Sequence, residues 1–194
     1  MDEEVLEAVK SRDLSGLRKL LADGADVDVR DDLGWSPLMW AAALGLPHIA
    51  RVLIENQADT EASDHYGATP LMKACRMGFV EVAELLIHYG ADIDAVDALG
   101  WTALMRAAQR GHYDIVRFLL DHHPDTEIAD HSGSTALILA ASKGHLQVVK
   151  ELLDWGAQID TADMDGKTAL MWAASANHSA VVALLEERSD LLCR

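Results

Sequence analysis

Basic charge is scarce in this sequence. Lys and Arg number 16 against 32 Asp and Glu, for a formal net charge of −16. Phosphate backbones and anionic membranes are bound by a positive face, so neither nucleic acid nor membrane is expected as a partner. Cysteine is also sparse, with only Cys75 and Cys193. Two thiols do not make a disulfide framework, and they point to a reducing, cytoplasmic compartment. Half the residues are hydrophobic, yet no apolar run approaches the roughly 18 residues of a membrane span. The opening stretch MDEEVLEAVK is acidic and lacks the basic and apolar regions of a secretory leader. No Pro/Gly/Ser-rich linker or low-complexity tract breaks the chain. No dinucleotide or Walker glycine frame, H-E-x-x-H helix or G-x-S-x-G elbow is present either. A non-enzymatic protein without a cofactor is the expectation.

What is present is a repeat. A frame D-x-x-G-x-[ST]-[PA]-L begins at Asp31, Asp64, Asp97, Asp130 and Asp163, at an offset of 33 residues. Its glycines are Gly34, Gly67, Gly100, Gly133 and Gly166, and its hydroxyls Ser36, Thr69, Thr102, Thr135 and Thr168. A period of this size marks stacked supersecondary units. In the copy at 64–96, Thr69 is a helix N-cap followed by Pro70 at the first helical position, where a missing N–H is harmless. Leu71, Ala74 and Cys75 follow at helical spacing, and Gly78 ends the helix. A second helix carries Val82, Ala83, Leu86 and Ile87 on one face before Gly90. One such unit cannot bury its apolar face, so neighbours must stack.

This frame resembles the ankyrin repeat, with its T-P-L-H-x-A-A segment, G-H loop and terminal G-A-D, over essentially the whole chain. The resemblance implies an all-α solenoid of helix-turn-helix units joined by hairpin-like turns. The expected organisation is a single repeat domain over 1–194: an N-terminal cap at 1–30, repeats at 31–63, 64–96, 97–129 and 130–162, and a C-terminal capping repeat at 163–194 whose EERSDLLCR tail frays. Departures from the family frame are informative. The His of T-P-L-H is replaced by Met39, Met72, Met105, Ile138 and Met171, core filler that trades the family's turn-to-helix hydrogen bonds for apolar packing. Gln57 and His123 stand where a left-handed Gly is usual, at a cost of about 1 kcal/mol each, and Asn177 replaces the loop Gly. The family's hydroxylated Asn is absent: Asp28, Glu61, Asp94, Glu127 and Asp160 occupy its positions.

Nine histidines raise the question of metal. His112, His145 and His178 recur one per repeat and do not converge, and the His122-His123 pair points two ways from one helix end. No metal site is expected. The acid pairs Asp26/Asp28, Asp59/Glu61, Asp92/Asp94 and Asp125/Glu127 read as surface turn residues with nothing to shift their pKa.

Recognition remains. The resemblance places partners on the concave face, at the turn tips and the ends of the first helices. Those positions carry five basic residues (Arg30, Arg76, Arg110, Lys143, Lys167) and two acidic ones (Asp32, Asp165), against the trend of the chain. The candidate partner-binding residues are Leu33, Trp35, Leu44, Tyr66, Arg76, Met77, Leu99, Trp101, Arg110 and Lys143. Exposed aromatics beside arginine make up the composition of interface hot spots. The expected partner is a protein or peptide with an apolar anchor and acidic flanks, bound to a monomer. The alternatives are that Trp35 and Trp101 merely cover neighbouring repeats, or that the chain is a structural or engineered scaffold, self-associating through its tryptophan-bearing face.

Overall fold

The computed structural model describes the backbone of residues 2–192 and the side chains of residues 3–191, so the Cys193 thiol lies outside the described residues. Among the described residues the chain is all-α, with twelve helices and no strands. It divides into two compact units, Met1–Ala98 and Leu99–Arg194.

The first unit holds α1 (Asp2–Lys10), α2 (Leu14–Ala22), α3 (Pro37–Leu44), α4 (Pro47–Glu55), α5 (Pro70–Met77) and α6 (Val80–His88). Here α3 packs against α1 on one side and α5 on the other. The second unit holds α7 (Ala103–Arg110), α8 (Tyr113–Leu120), α9 (Ala136–Ser142), α10 (Leu146–Asp154), α11 (Ala169–Ser175) and α12 (Ser179–Leu192). There α9 lies between α7 and α11.

Local chemistry sets the helix ends. Ser36, Thr69, Thr102, Thr135 and Thr168 have extended backbones, and each hydroxyl accepts the N–H of the residue three positions on. Such a cap is worth about 1 kcal/mol. At the other end of α3, Gly45 turns left-handed (φ 66°), and a Cβ there would lie 2.6 Å from the Phe79 ring. Glycine is required by that ring as well as by the turn. Non-glycine residues take left-handed conformations at Gln57 and His123, as the sequence implied, and at Asn177 and Arg12. Arg12 is the one the sequence did not flag, because the N-terminal segment 1–30 lacks the frame that would register it.

Met39, Met72, Met105 and Ile138 are at most 2 % exposed and fill the core, as expected. Met171 is 54 % exposed. The fraying expected of the tail falls in part on residues 193–194, which lie outside the described residues; α12 runs to Leu192. Its sequence carries no Gly or Pro to stop it, Leu185 is fully buried, and the Arg188 guanidinium donates to the Asp154 carboxylate of α10. The hairpin-like turns are not ladders either. An isolated bridge between Ala162 and Thr168 is the extent of strand pairing among the described residues.

Candidate protein-binding surface

The turn tips are built by the repeat's first aspartate. Asp64 Oδ1 accepts the N–H groups of Tyr66 (2.9 Å) and Ala68 (3.0 Å), folding the turn around itself. Its Oδ2 accepts from the Lys73 ammonium at 2.6 Å, and both residues are buried. Burial alone would raise this carboxyl, but Lys73 and the two N–H groups hold it below the ordinary carboxylate range. Asp31 is arranged likewise, accepting from Leu33, Trp35 and the Trp40 indole N–H (2.8 Å). Asp163 does so with Asp165, Lys167 and the Trp172 indole (2.7 Å). The turn-to-helix tie is therefore still hydrogen-bonded, through the residue nine positions after the aspartate. The expectation that apolar packing had replaced it is corrected. At Asp130 that position is Leu139, and the Ser132 hydroxyl donates to the carboxylate at 2.7 Å instead.

These ties consume the tryptophans. Trp35 is half-buried, its ring 4.7 Å from that of Trp40 and capped by the Lys73 ammonium at 4.0 Å. Trp101 is half-buried with the Arg106 guanidinium 4.6 Å above its ring. Cations on indole faces contribute about 0.5–2 kcal/mol. Trp35 is thus a lid on the next repeat's ion pair, the covering role that the sequence reading held as its alternative, and Trp101 lies beneath a cation of its own repeat.

Other candidates are open. In the first unit Leu33, Tyr66 and Met77 are 53 %, 72 % and 50 % exposed. Arg76 is exposed beside Met77, Leu44 is half-buried, and Val96, just before its turn, is exposed too. In the second unit Leu99 is 58 % exposed, with Arg110 and Lys143 exposed at the ends of their helices. Main-chain bonds space the tips: Ala98 N–H donates to Tyr66 O (2.8 Å) in the first unit, and His131 N–H to Leu99 O (3.0 Å) in the second. Tips fixed by backbone bonds present side chains at low entropic cost.

The acid pairs are not idle surface. Asp28 accepts the N–H of Asp59 at 3.1 Å, Glu61 that of Asp92 at 3.0 Å, and Glu127 that of Gln158 at 3.0 Å, each binding one repeat to the next. Burial and neighbouring carboxylates push Asp28 and Glu61 above their ordinary values. The sequence concealed this because the partner is 31 residues away. His145 and His178 serve similarly, their Nε2 atoms 3.0 and 3.2 Å from the carbonyls of Gln109 and Ser142. His122 Nδ1 lies 2.9 Å from the Phe118 carbonyl, and the His123 ring meets Trp155 edge-on. Among the described residues no group of three or more His, Cys, Asp or Glu is placed to hold a metal, and no helix is long and apolar enough to cross a membrane.

Comparison with known proteins agrees with this geometry. A family model of ankyrin repeats in three copies matches residues 5–97 and 104–193, and one of many copies matches 80–120. The chain belongs to the ankyrin-repeat family and is a protein–protein interaction module. Protein phosphatase 1 regulatory subunit 27 of Homo sapiens is 47 % identical over 49 residues, 25 % of this chain and 32 % of that protein. The Mus musculus protein of the same name matches to the same extent. The chain spans about a third of the length of these relatives.

Proposed function

We propose that this chain is a non-catalytic binding protein that engages a protein or peptide through its turn tips and first-helix ends. In the first unit the contact residues are Leu33, Tyr66, Met77, Arg76 and Leu44, with Trp35 as a rigid floor. In the second they are Leu99, Trp101, Arg110 and Lys143. The observation that carries the reading is the exposure of Leu33, Tyr66 and Met77 on neighbouring repeats of one compact unit. Large apolar side chains beside arginine are what hot spots use. The partner has an apolar anchor between carboxylates, which Arg76, Arg110 and Lys143 receive. A reducing cytoplasmic setting goes with the buried free thiol of Cys75, whose pKa burial raises. The phosphatase regulatory subunit among its relatives makes a protein phosphatase 1 catalytic subunit the first purified protein to try.

Selection of a displayed random-peptide library on the immobilised chain tests the reading. Convergence on an apolar residue flanked by Asp or Glu is expected. Convergence on basic peptides, or binding unchanged in Tyr66→Ala and Arg110→Glu variants, contradicts it.

A further inference from the structure

Where two repeats stack, a ring of one lies against the loop glycine of the repeat before it. In the first unit the Phe79 ring would meet a Cβ on Gly45 at 2.6 Å. In the second the His145 and His178 rings would meet one on Gly111 and Gly144 at 2.5 and 2.6 Å. The counterparts of Gly45 and Phe79 one repeat earlier are Arg12 and Leu46. Here the glycine is replaced by a cation in a left-handed conformation (φ 62°), and the ring by an aliphatic side chain. A cleft of about 370 Å³ is left at this joint, with Arg12 and Leu14 on one side and Leu46, Pro47, His48 and Ile49 on the other. Both walls belong to the first unit, at the loops before α2 and α4. A unit stacked in front of α1 and α2 would lie on their other side and leave the cleft open. The lining is basic in a strongly acidic chain. Among the described residues no Asp or Glu lines it, and neither Arg12 nor His48 makes an ion pair. The adjacent Asp13 carboxylate caps α2 instead, accepting the Gly16 N–H at 2.8 Å.

We propose that this cleft binds an aromatic side chain of a partner polypeptide, with an Asp or Glu beside the ring pairing with Arg12. The ring takes the place of the one that Leu46 lacks, and lies on the left-handed loop as Phe79 lies on Gly45. The volume suits it, since small-ligand sites begin at about 300 Å³. Apart from Ile49 the lining residues are half-buried or exposed, so the cleft opens along the surface and admits a side chain from a docked chain. The Arg12 guanidinium is exposed, and its planar fork suits a bidentate carboxylate pair. This site goes beyond the turn tips. It is built by the loops inside the repeats and begins one residue past Leu44.

An NMR titration of the isotope-labelled full chain with the capped peptide acetyl-Asp-Phe-Asp-amide, from about 0.1 to 5 mM, tests this over the range of a millimolar Kd. Saturating shifts are expected at the amides of Arg12, Leu46 and His48. Acetyl-Asp-Leu-Asp-amide and acetyl-Lys-Phe-Lys-amide should bind there at least about tenfold more weakly. Leu46→Phe supplies the ring from within the chain and should lose these shifts. Arg12→Gly should melt at a higher temperature, because glycine takes the left-handed conformation without strain, yet bind the peptide more weakly. A residue that only supported the fold would not part those two readouts. Tyr66→Ala should leave the cleft shifts unchanged, which separates this site from the tips. Shifts confined to Leu33 and Tyr66, or no shifts at all, overturn the proposal. So do equal shifts from the leucine peptide, or undiminished binding to folded Leu46→Phe and Arg12→Gly variants.

Discussion

The repeat at 64–96 and the last repeat, from Asp163 onward, share one frame, and the same positions behave differently in the two. Met72 is buried and Met171 is half in solvent. Asp64 and Lys73 form an enclosed ion pair, whereas Asp163 and its partner Trp172 remain partly exposed. Residue type does not account for the methionines, which are identical, although at the aspartates the tied partner is Lys73 in one repeat and Trp172 in the other. The difference is the neighbour. Trp35 of the preceding repeat lies on the Lys73 ammonium, while Ser134 stands at the matching position before the last repeat. In a solenoid, burial belongs to the interface between units rather than to the unit.

Substitutions at matched positions sharpen the comparison. The largest effect is expected from Asp64→Ala, which leaves the Lys73 ammonium buried and unpaired, a loss of about 3–5 kcal/mol. Asp163→Ala should cost a clearly smaller amount in parallel denaturant titrations, and equal losses would remove the distinction. Met72→Ala comes next, at about 2–5 kcal/mol for a truncated core methionine. Met171→Ala should stay within about 0.5 kcal/mol, as surface changes do.

Acid should separate the two kinds of carboxylate. Asp64 is held below its ordinary pKa when folded, so its contribution is present above the unfolded value of about 3.9 and is lost as pH falls through the lower folded value. Glu61 is held above its ordinary pKa, so its charge opposes folding at neutral pH, and that penalty disappears below the unfolded value of about 4.3. The smallest effect is therefore a modest rise in melting temperature for Glu61→Gln at pH 7 that vanishes near pH 3. The glutamine oxygen can still accept the Asp92 N–H. A variant less stable than wild type at pH 7 would show that the charge itself is needed.

Much of this fold could be read in advance, and the reasons are local. Thr69-Pro70, Gly78 and the Leu71/Ala74/Cys75 spacing specify a capped helix within a few residues of chain, and the 33-residue repeat multiplies that statement five times. The left-handed Gln57 and His123 were legible for the same reason. What escaped depends on distance. Whether Trp35 faces solvent or covers Lys73 depends on a residue 38 positions away. The Asp28 and Glu61 ties reach N–H groups one repeat along. The exposure of Met171 depends on what lies against its repeat, which no periodicity within that repeat can register. The candidate tips divide along the same line. Leu33, Tyr66, Met77 and Leu99 are exposed, while Trp35 and Trp101 lie half-buried under cations.

The most direct test of the account measures the affinity of a selected acidic-flanked peptide for wild type, for Tyr66→Ala/Met77→Ser and for Met171→Ser by isothermal titration. The account predicts that the double substitution at the tips weakens binding about tenfold or more, a loss of at least about 1.4 kcal/mol, with the melting temperature unchanged. Met171→Ser should bind as wild type does. Binding that survives the tip substitutions and is lost in Met171→Ser would contradict it, and would place recognition on the last repeat instead.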